Sequence, residues 1–302
     1  PELGMSHLRR LALLGRVLSS YDVVLAWSCS QNTLVATTTP RSSGPNSAVG
    51  SGTYDNGSSK AGGAYRIGWE QSFGFTNNFD PTGEYLGNAW GLYSNLMIRS
   101  LVGYKHLPGA AGNETIGDLA TDVPTPTDNG LPYTYKLRTG IKWGPPVNRA
   151  VTSKDVAYAM NRLANPKDGG QYSFYYTEIV GWDAVANGTA KTLSGITTPD
   201  DQTIVFKLTT PTASLLVGAL SLPLSAPVPE SFAKPMDAKK PTTYGSKYVV
   251  ATGPYMFKAN PKTGEFLNIG YLPGKSSALV RNPNWNPKSD PRPAYLDQIN
   301  IN

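Results

Sequence analysis

Apolar and polar residues alternate most clearly over 133–138. Tyr133, Tyr135 and Leu137 fall on one side, and Thr134, Lys136 and Arg138 on the other. That period of two is the pattern of a strand with one buried face. Ile141 and Trp143 carry the alternation past Gly140. Thr152 then stands three residues before Asp155, as in a capping box with Asp in the place of Glu. Val156, Met160 and Leu163 follow at the i, i+4, i+7 spacing of one helical stripe. Asn165-Pro166 ends the stripe, because the residue before a proline is pushed out of the helical region. Residues 133–163 therefore predict a strand, a turn and a capped helix.

The same reading predicts a short first strand within 64–69 and a turn at Phe79-Asp80-Pro81, where Pro fixes φ and Asp bonds nearby backbone. A helix is expected over 89–101, with Leu92, Leu96 and, less regularly, Val102 on one side. Residues 194–201 read as a turn-rich link, and 203–209 as a strand with Ile204, Phe206 and Leu208 on its apolar face. A short apolar helix is expected over 214–222, ended by Pro223, Pro227 and Pro229. Further strands are expected within 249–257, 266–271, 278–282 and 296–301. Strands outnumber helices and the two are interleaved, which argues for an α/β or α+β architecture around a mixed sheet. Ile299 and Ile301 alternate with Asn300 and Asn302 up to the last residue, and the expectation is that the protein continues beyond it.

The N-terminus has a different character. Met5 reads as the start, Arg9 and Arg10 precede an apolar run at 11–14, and a second run at 23–27 leads to Ser28-Cys29. Basic residues, an apolar run and a small residue are the logic of a secretory signal. A cysteine at the cleavage point suggests a lipoprotein whose thiol carries lipid. Arg16, Asp22 and Trp27 fit that pattern poorly, so an incidental Cys29 in an unstructured leader stands as the alternative. No run of ~20 apolar residues offers a spanning helix. Ser, Thr, Gly, Pro and Asn dominate the following ~30 residues, which read as a disordered tether.

Composition narrows the function classes. The 302 residues are 39% hydrophobic and 10% aromatic, enough for a core and for two domains of about 150 residues each. The net charge of +6 is spread along the chain rather than clustered, which argues against a nucleic-acid partner. The single cysteine allows no internal disulfide, and with His7 and His106 it forms no metal-ligand spacing. Gly270, Gly274, Lys275 and Ser276 imitate a phosphate loop. That loop needs four residues between its glycines, and Ile269 stands where the first should be. No G-x-S-x-G elbow occurs, and the pair Asp200-Asp201 reads better as a turn than as glycosidase carboxylates. No enzyme, metal or cofactor is expected.

The motifs gain meaning in their order. Leu137-Arg138, Trp143, Pro146-Val147 and Thr152 to Val156 resemble the signature region of the family 5 extracellular solute-binding proteins, the dipeptide-, oligopeptide- and nickel-binding components of ABC importers. Asp80-Pro81, Gly117-Asp118-Leu119-Ala120, Gly195-Ile196, 199–203, Thr252-Gly253-Pro254-Tyr255, Arg281-Asn282-Pro283-Asn284-Trp285 and 295–299 resemble further family motifs in the right order. Gly144-Pro145-Pro146 departs from the family's Asp-Gly before Pro-Val, a change in a surface turn.

The resemblance implies a periplasmic-binding-protein-like α/β fold (type II, the class with an extra subdomain) built on a mixed-sheet lobe, with the second lobe largely missing. It implies a leader at 1–29, a tether at 30–62, a first lobe from 63–98 and 221–302, and an inserted subdomain at 99–220. It implies an exported protein that takes peptides or similar solutes to ABC permease subunits, with a lipid anchor at Cys29. Oligosaccharide or metal-chelate binding, or a ligand-sensing surface lipoprotein, are the alternatives. The family's cleft places Glu84, Tyr85, Leu86, Gly87, Thr252, Gly253, Pro254 and Tyr255 near the ligand. Glu84 also reads as a surface carboxylate, Tyr255 as a core tyrosine beside a tight turn, and Trp143 and Trp285 as packing residues.

Overall fold

The computed structural model describes residues 60–69 and 78–302, except 106, 108, 128, 130, 168, 169, 240, 291 and 293. The expected leader, Cys29, His7, His106 and most of the tether lie outside the described residues. The chain divides into units 1–48 and 49–302, and every described residue belongs to the second.

Its largest sheet is mixed, as expected. Strand β1 (Ala64–Ile67) runs parallel to β10 (Gln298–Ile301), and β10 pairs antiparallel with β9 (Ser276–Arg281). β7 (Tyr255–Phe257) and β8 (Tyr271–Leu272) both pair antiparallel with β9. The register aligns Phe257, Leu279 and Ile299 across three strands, so their alternating side chains share one face. Phe79 plugs that face, with ring centroids 4.8 Å from Phe257 and 4.7 Å from Tyr271, both edge-on. Edge-to-face pairs of this kind add about 0.5–1.5 kcal/mol beyond area burial.

A second, antiparallel sheet has the order β4 (Pro132–Lys136), β6 (Thr203–Lys207), β5 (Ile196–Asp200). Helix α2 (Ser153–Ala164) shares its core: Val156, Met160 and Leu163 are buried with Tyr133, Tyr135, Ile204 and Phe206. Each such side chain contributes about 1.5–3 kcal/mol relative to exposure. The capping box is present. Asp155 accepts from the Thr152 amide at 3.0 Å, from Trp143 Nε1 at 3.2 Å, and from Arg149 Nη1 at 2.7 Å and Nη2 at 2.6 Å. A small hairpin, β2 (Val102–Tyr104) and β3 (Thr115–Gly117), completes the strands.

Three expectations need correction. The link at 194–201 contains β5, an edge strand whose register shifts between Thr197 and Asp200; the turns are confined to its two ends, Ser194-Gly195 and Asp201-Gln202, the latter with Asp200 accepting from the Gln202 amide at 2.8 Å. The strand at 266–271 shrinks to β8, because the Phe266 carbonyl collects the amides of Ile269, Gly270 and Tyr271 and forms a turn. The helix over 89–101 begins earlier and ends earlier. Helix α1 (Gly87–Leu92) widens into a π-turn (Tyr93–Met97), closed by Ile98 N–H donating to Tyr93 O at 3.0 Å. The wider turn buries Tyr93 and Met97, leaving Leu96 only half-buried.

Helices α3 (Trp182–Ala186), α4 (Ala213–Ala219) and α5 (Glu230–Asp237) complete the described α-helices. The phosphate-loop imitation at 270–276 forms the β8–β9 hairpin, with no helix after it among the described residues.

Candidate functional site

The loop before α1 is held by charge buried beneath it. Arg162 extends from α2 and is 4% exposed. Its Nη1 donates to Asp80 Oδ1 at 2.9 Å and Thr82 Oγ1 at 2.7 Å, and its Nη2 donates to Asp80 Oδ2 and to Asp237 Oδ1 at 3.0 Å. Its Nε donates to Asp237 Oδ2 at 2.8 Å, and the guanidinium lies 5.2 Å from the Tyr244 ring centre. One planar fork thus serves two carboxylates, a use that lysine cannot reproduce. Burial by itself pushes the Asp237 carboxyl up, but the hydrogen bonds and charge of Arg162 outweigh it and hold the group below the usual carboxylate range.

On this support sits the loop with four predicted site residues. Glu84 is 2% exposed, so the surface-carboxylate reading is overturned. Its Oε1 accepts from the amides of Tyr85 at 2.8 Å and Leu86 at 2.9 Å, while its carbonyl accepts from Trp90 Nε1 at 2.9 Å. A carboxylate folded onto its own loop fixes the backbone there. Tyr93 lies close by, and burial first, then the Glu84 and Asp80 charges, push its phenol well up, so it stays protonated. Outward from this support, Tyr85 is 39% exposed and Gly87 is exposed.

The other predicted residues lie under this surface. Thr252 and Tyr255 are 2% and 3% exposed. The amides of Thr252 and Gly253 both donate to Met97 O, at 3.0 and 2.7 Å, and Thr252 Oγ1 accepts from the Arg99 amide at 2.9 Å. A Cβ on Gly253 would meet Leu96 O at 2.8 Å, so glycine is required for this backbone-to-backbone docking. Pro254 is buried with them. Tyr255 Oη donates to Leu296 O at 3.1 Å and accepts from the Leu296 amide at 3.0 Å. Sequence reasoning placed these four beside the ligand; in this structure they brace the π-turn, because their side chains contact protein rather than solvent.

The structure adds an aromatic wall that sequence reasoning did not single out. Trp90 packs on Tyr172 at 5.0 Å, Tyr172 stacks with Tyr175 at 6.1 Å, and Phe174 lies 4.3 Å from Tyr175. A Cβ on Gly170 would sit 2.8 Å from Thr82 O, which shows how closely the segment bearing these rings approaches the 80–87 loop. The signal was available as four aromatic residues within 172–176. It lacks strand or helix periodicity, so pattern reasoning passed over it.

Trp90 also borders a cleft of about 750 Å³ floored by Arg99 and Arg292. Arg99 Nε donates to Asp118 Oδ1 at 2.6 Å and its Nη2 to Ser289 O at 2.6 Å. Arg292 forks onto Asp290 at 2.9 and 2.7 Å. Arg99 thus ties Asp118, the residue after β3, to Ser289, while the Arg292–Asp290 pair closes within the 289–292 segment. Among the described residues no group of three His, Cys, Asp or Glu side chains could hold a metal, and no helix is long and apolar enough to cross a membrane.

Comparison with known proteins agrees with the sequence motifs. The family "Bacterial extracellular solute-binding proteins, family 5 Middle" matches residues 114–302, more than half of the chain. The oligopeptide-binding protein OppA of Lactococcus lactis subsp. lactis is 34% identical over 101 residues, covering 33% of this chain and 15% of that protein. The oligopeptide-binding protein AmiA of Streptococcus pneumoniae serotype 4 is 25% identical over 240 residues, covering 76% of this chain and 33% of that protein. The chain thus spans about a third or less of these curated relatives. Among solved structures, the clavulanic acid biosynthesis oligopeptide binding protein 2 superposes with a TM-score of 0.65 at 27% identity, covering 81% of this chain and 40% of that one. Listeria monocytogenes OppA bound to peptide gives 0.61 at 20% identity, covering 81% and 42%, a likeness of fold alone. The mixed-sheet, periplasmic-binding-protein-like fold and the ordered motifs meet in one conclusion: the chain belongs to the family 5 extracellular solute-binding proteins.

Proposed function

We propose that this chain forms the ligand-capturing part of an extracytoplasmic receptor that binds peptides and delivers them unaltered to an ABC import permease. The observation that carries the reading is the rigid 84–87 loop beside the aromatic wall. Its backbone is fixed from beneath by Glu84 and Arg162, and it presents Tyr85 and Gly87 outward while Leu86 packs partly against the core. The Tyr85 and Leu86 amides are taken by Glu84 and the Leu86 carbonyl by the Trp90 amide, so what the loop offers an extended peptide is a fixed surface at Tyr85 and Gly87, and neighbouring rings supply apolar area. The names of the curated relatives, both oligopeptide-binding proteins, support peptide as the solute class.

The proposal keeps 63–98 and 221–302 as one lobe and 99–220 as an inserted subdomain. Two of the three buried clusters among the described residues support that division, while the third packs Ala159 of α2 with Val228, Ala233 and Tyr244 across it. Of the first two, one draws its buried residues from 101–224 with Val250, the other from 79–98 and 226–301. It also keeps export and acylation of Cys29, for which a Cys29→Ala form should leave the membrane fraction of its host; unchanged retention would refute the anchor.

Isothermal titration calorimetry of the protein expressed from its whole reading frame, with mixed di- to pentapeptides, tests the main reading. Saturable heat without peptide cleavage is expected. Silence with every peptide but saturation with an oligosaccharide would overturn the peptide assignment, and released amino acids would overturn the binding-only role.

A further inference from the structure

Beside the aromatic wall lies a hollow of about 280 Å³, room for roughly nine waters at ~30 Å³ each. Its walls are Trp90, Tyr172 and Tyr175, the α4 residues Ser214, Leu215, Gly218 and Ala219, and Leu222. No charged residue lines it, and the one polar atom of the Trp90 ring is already committed to Glu84 O. A charged guest would lose its hydration there and gain no counter-ion.

Gly218 is the telling residue. It lies in the last turn of α4 with ordinary negative φ, so its backbone makes no demand for glycine. Nothing lies within 4 Å of the Cβ position it lacks, so neighbouring atoms make no such demand either. A helical glycine is nonetheless less favourable than alanine. The surface around the hollow is apolar and open, with Phe174 56% and Leu215 43% exposed.

We propose that Gly218 keeps this hollow vacant as a specificity pocket for one large apolar side chain, of the leucine or phenylalanine class, on the bound peptide. The inference rests on the peptide reading above. It follows from the shared wall: Trp90 borders the hollow with its ring and is tied by its Nε1 to the loop against which the peptide would lie. A peptide lying against that loop would meet the hollow across the Trp90 ring that the two share.

The test is calorimetry on the protein from its whole reading frame, with an all-alanine peptide of a length that binds and the same peptide carrying one phenylalanine at each position in turn. At one position phenylalanine should tighten binding about tenfold or more, the scale of a few buried methylenes. In Gly218→Leu the new side chain occupies the hollow. That gain should vanish, while the all-alanine peptide keeps its affinity within about twofold and the unfolding midpoint stays equal or rises. An unchanged phenylalanine preference in Gly218→Leu would overturn the pocket, as would a wild-type protein that binds both peptides equally. A lowered unfolding midpoint would overturn it too, by showing that other parts of the protein fill the hollow. If no peptide binds wild type at all, it is the peptide reading itself that falls.

Discussion

Replacing Arg162 by methionine keeps much of the side chain's length and removes the guanidinium that Asp80, Thr82 and Asp237 share. Asp80 is 3% exposed, so it would be left buried without its counter-ion. Two unit charges about 4 Å apart interact by ~4 kcal/mol at an effective dielectric constant of ~20, and removing one partner of a buried pair typically costs about 3–5 kcal/mol. Arg162→Met is therefore expected to lower the unfolding free energy by about 3–5 kcal/mol, out of a total that for most domains is about 5–15 kcal/mol. Urea titration followed by tryptophan fluorescence measures it as a shift in midpoint at constant slope. The cost should come mostly from the stranded carboxylates. Adding Asp80→Asn and Asp237→Asn to Arg162→Met should then restore part of the loss. A single-variant cost below about 1 kcal/mol, or a triple variant no more stable than the single one, would refute the assignment of the network as the support of the 80–87 loop.

Asp155→Ala removes the helix cap and the acceptor of the buried Trp143 indole; a loss of about 1–3 kcal/mol is expected in the same titration, and an unchanged midpoint would contradict it. Asp237 has a folded-state pKa held below its unfolded value of about 3.9. Its contribution is therefore present above that value and lost as the pH falls through the lower folded value. The stability gap between wild type and Asp237→Asn should be widest near neutrality and narrow below about pH 4, as followed by unfolding midpoints across pH; a gap that widens in acid would reverse the sign of the argument.

The sequence by itself determined the local units and their order. The strand at 133–138, the box of Thr152 and Asp155 and the stripe of Val156, Met160 and Leu163 are legible because each rests on contacts a few residues apart. The ordered motifs carried the family for the same reason. Short or irregular elements were harder to read. β5 contains Pro199 and Asp200, poor strand residues, and is strand only because β6 supplies its ladder at the sheet edge. α3 has five residues, too few for a period, and α5 holds Pro235, a residue that normally argues against a helix.

The tertiary structure alone decided what the candidate site residues do. Glu84 looks like any surface acid in the sequence, yet it is buried and grips its own loop. Thr252 and Tyr255 sit in a motif that suggested contact with ligand, yet Met97, Arg99 and Leu296 claim their polar groups. Arg162 meets Asp80 and Asp237 across 82 and 75 residues of chain. No periodicity links such distant positions, so a charge on a predicted helix cannot announce which loop it will hold until the chain has closed around it.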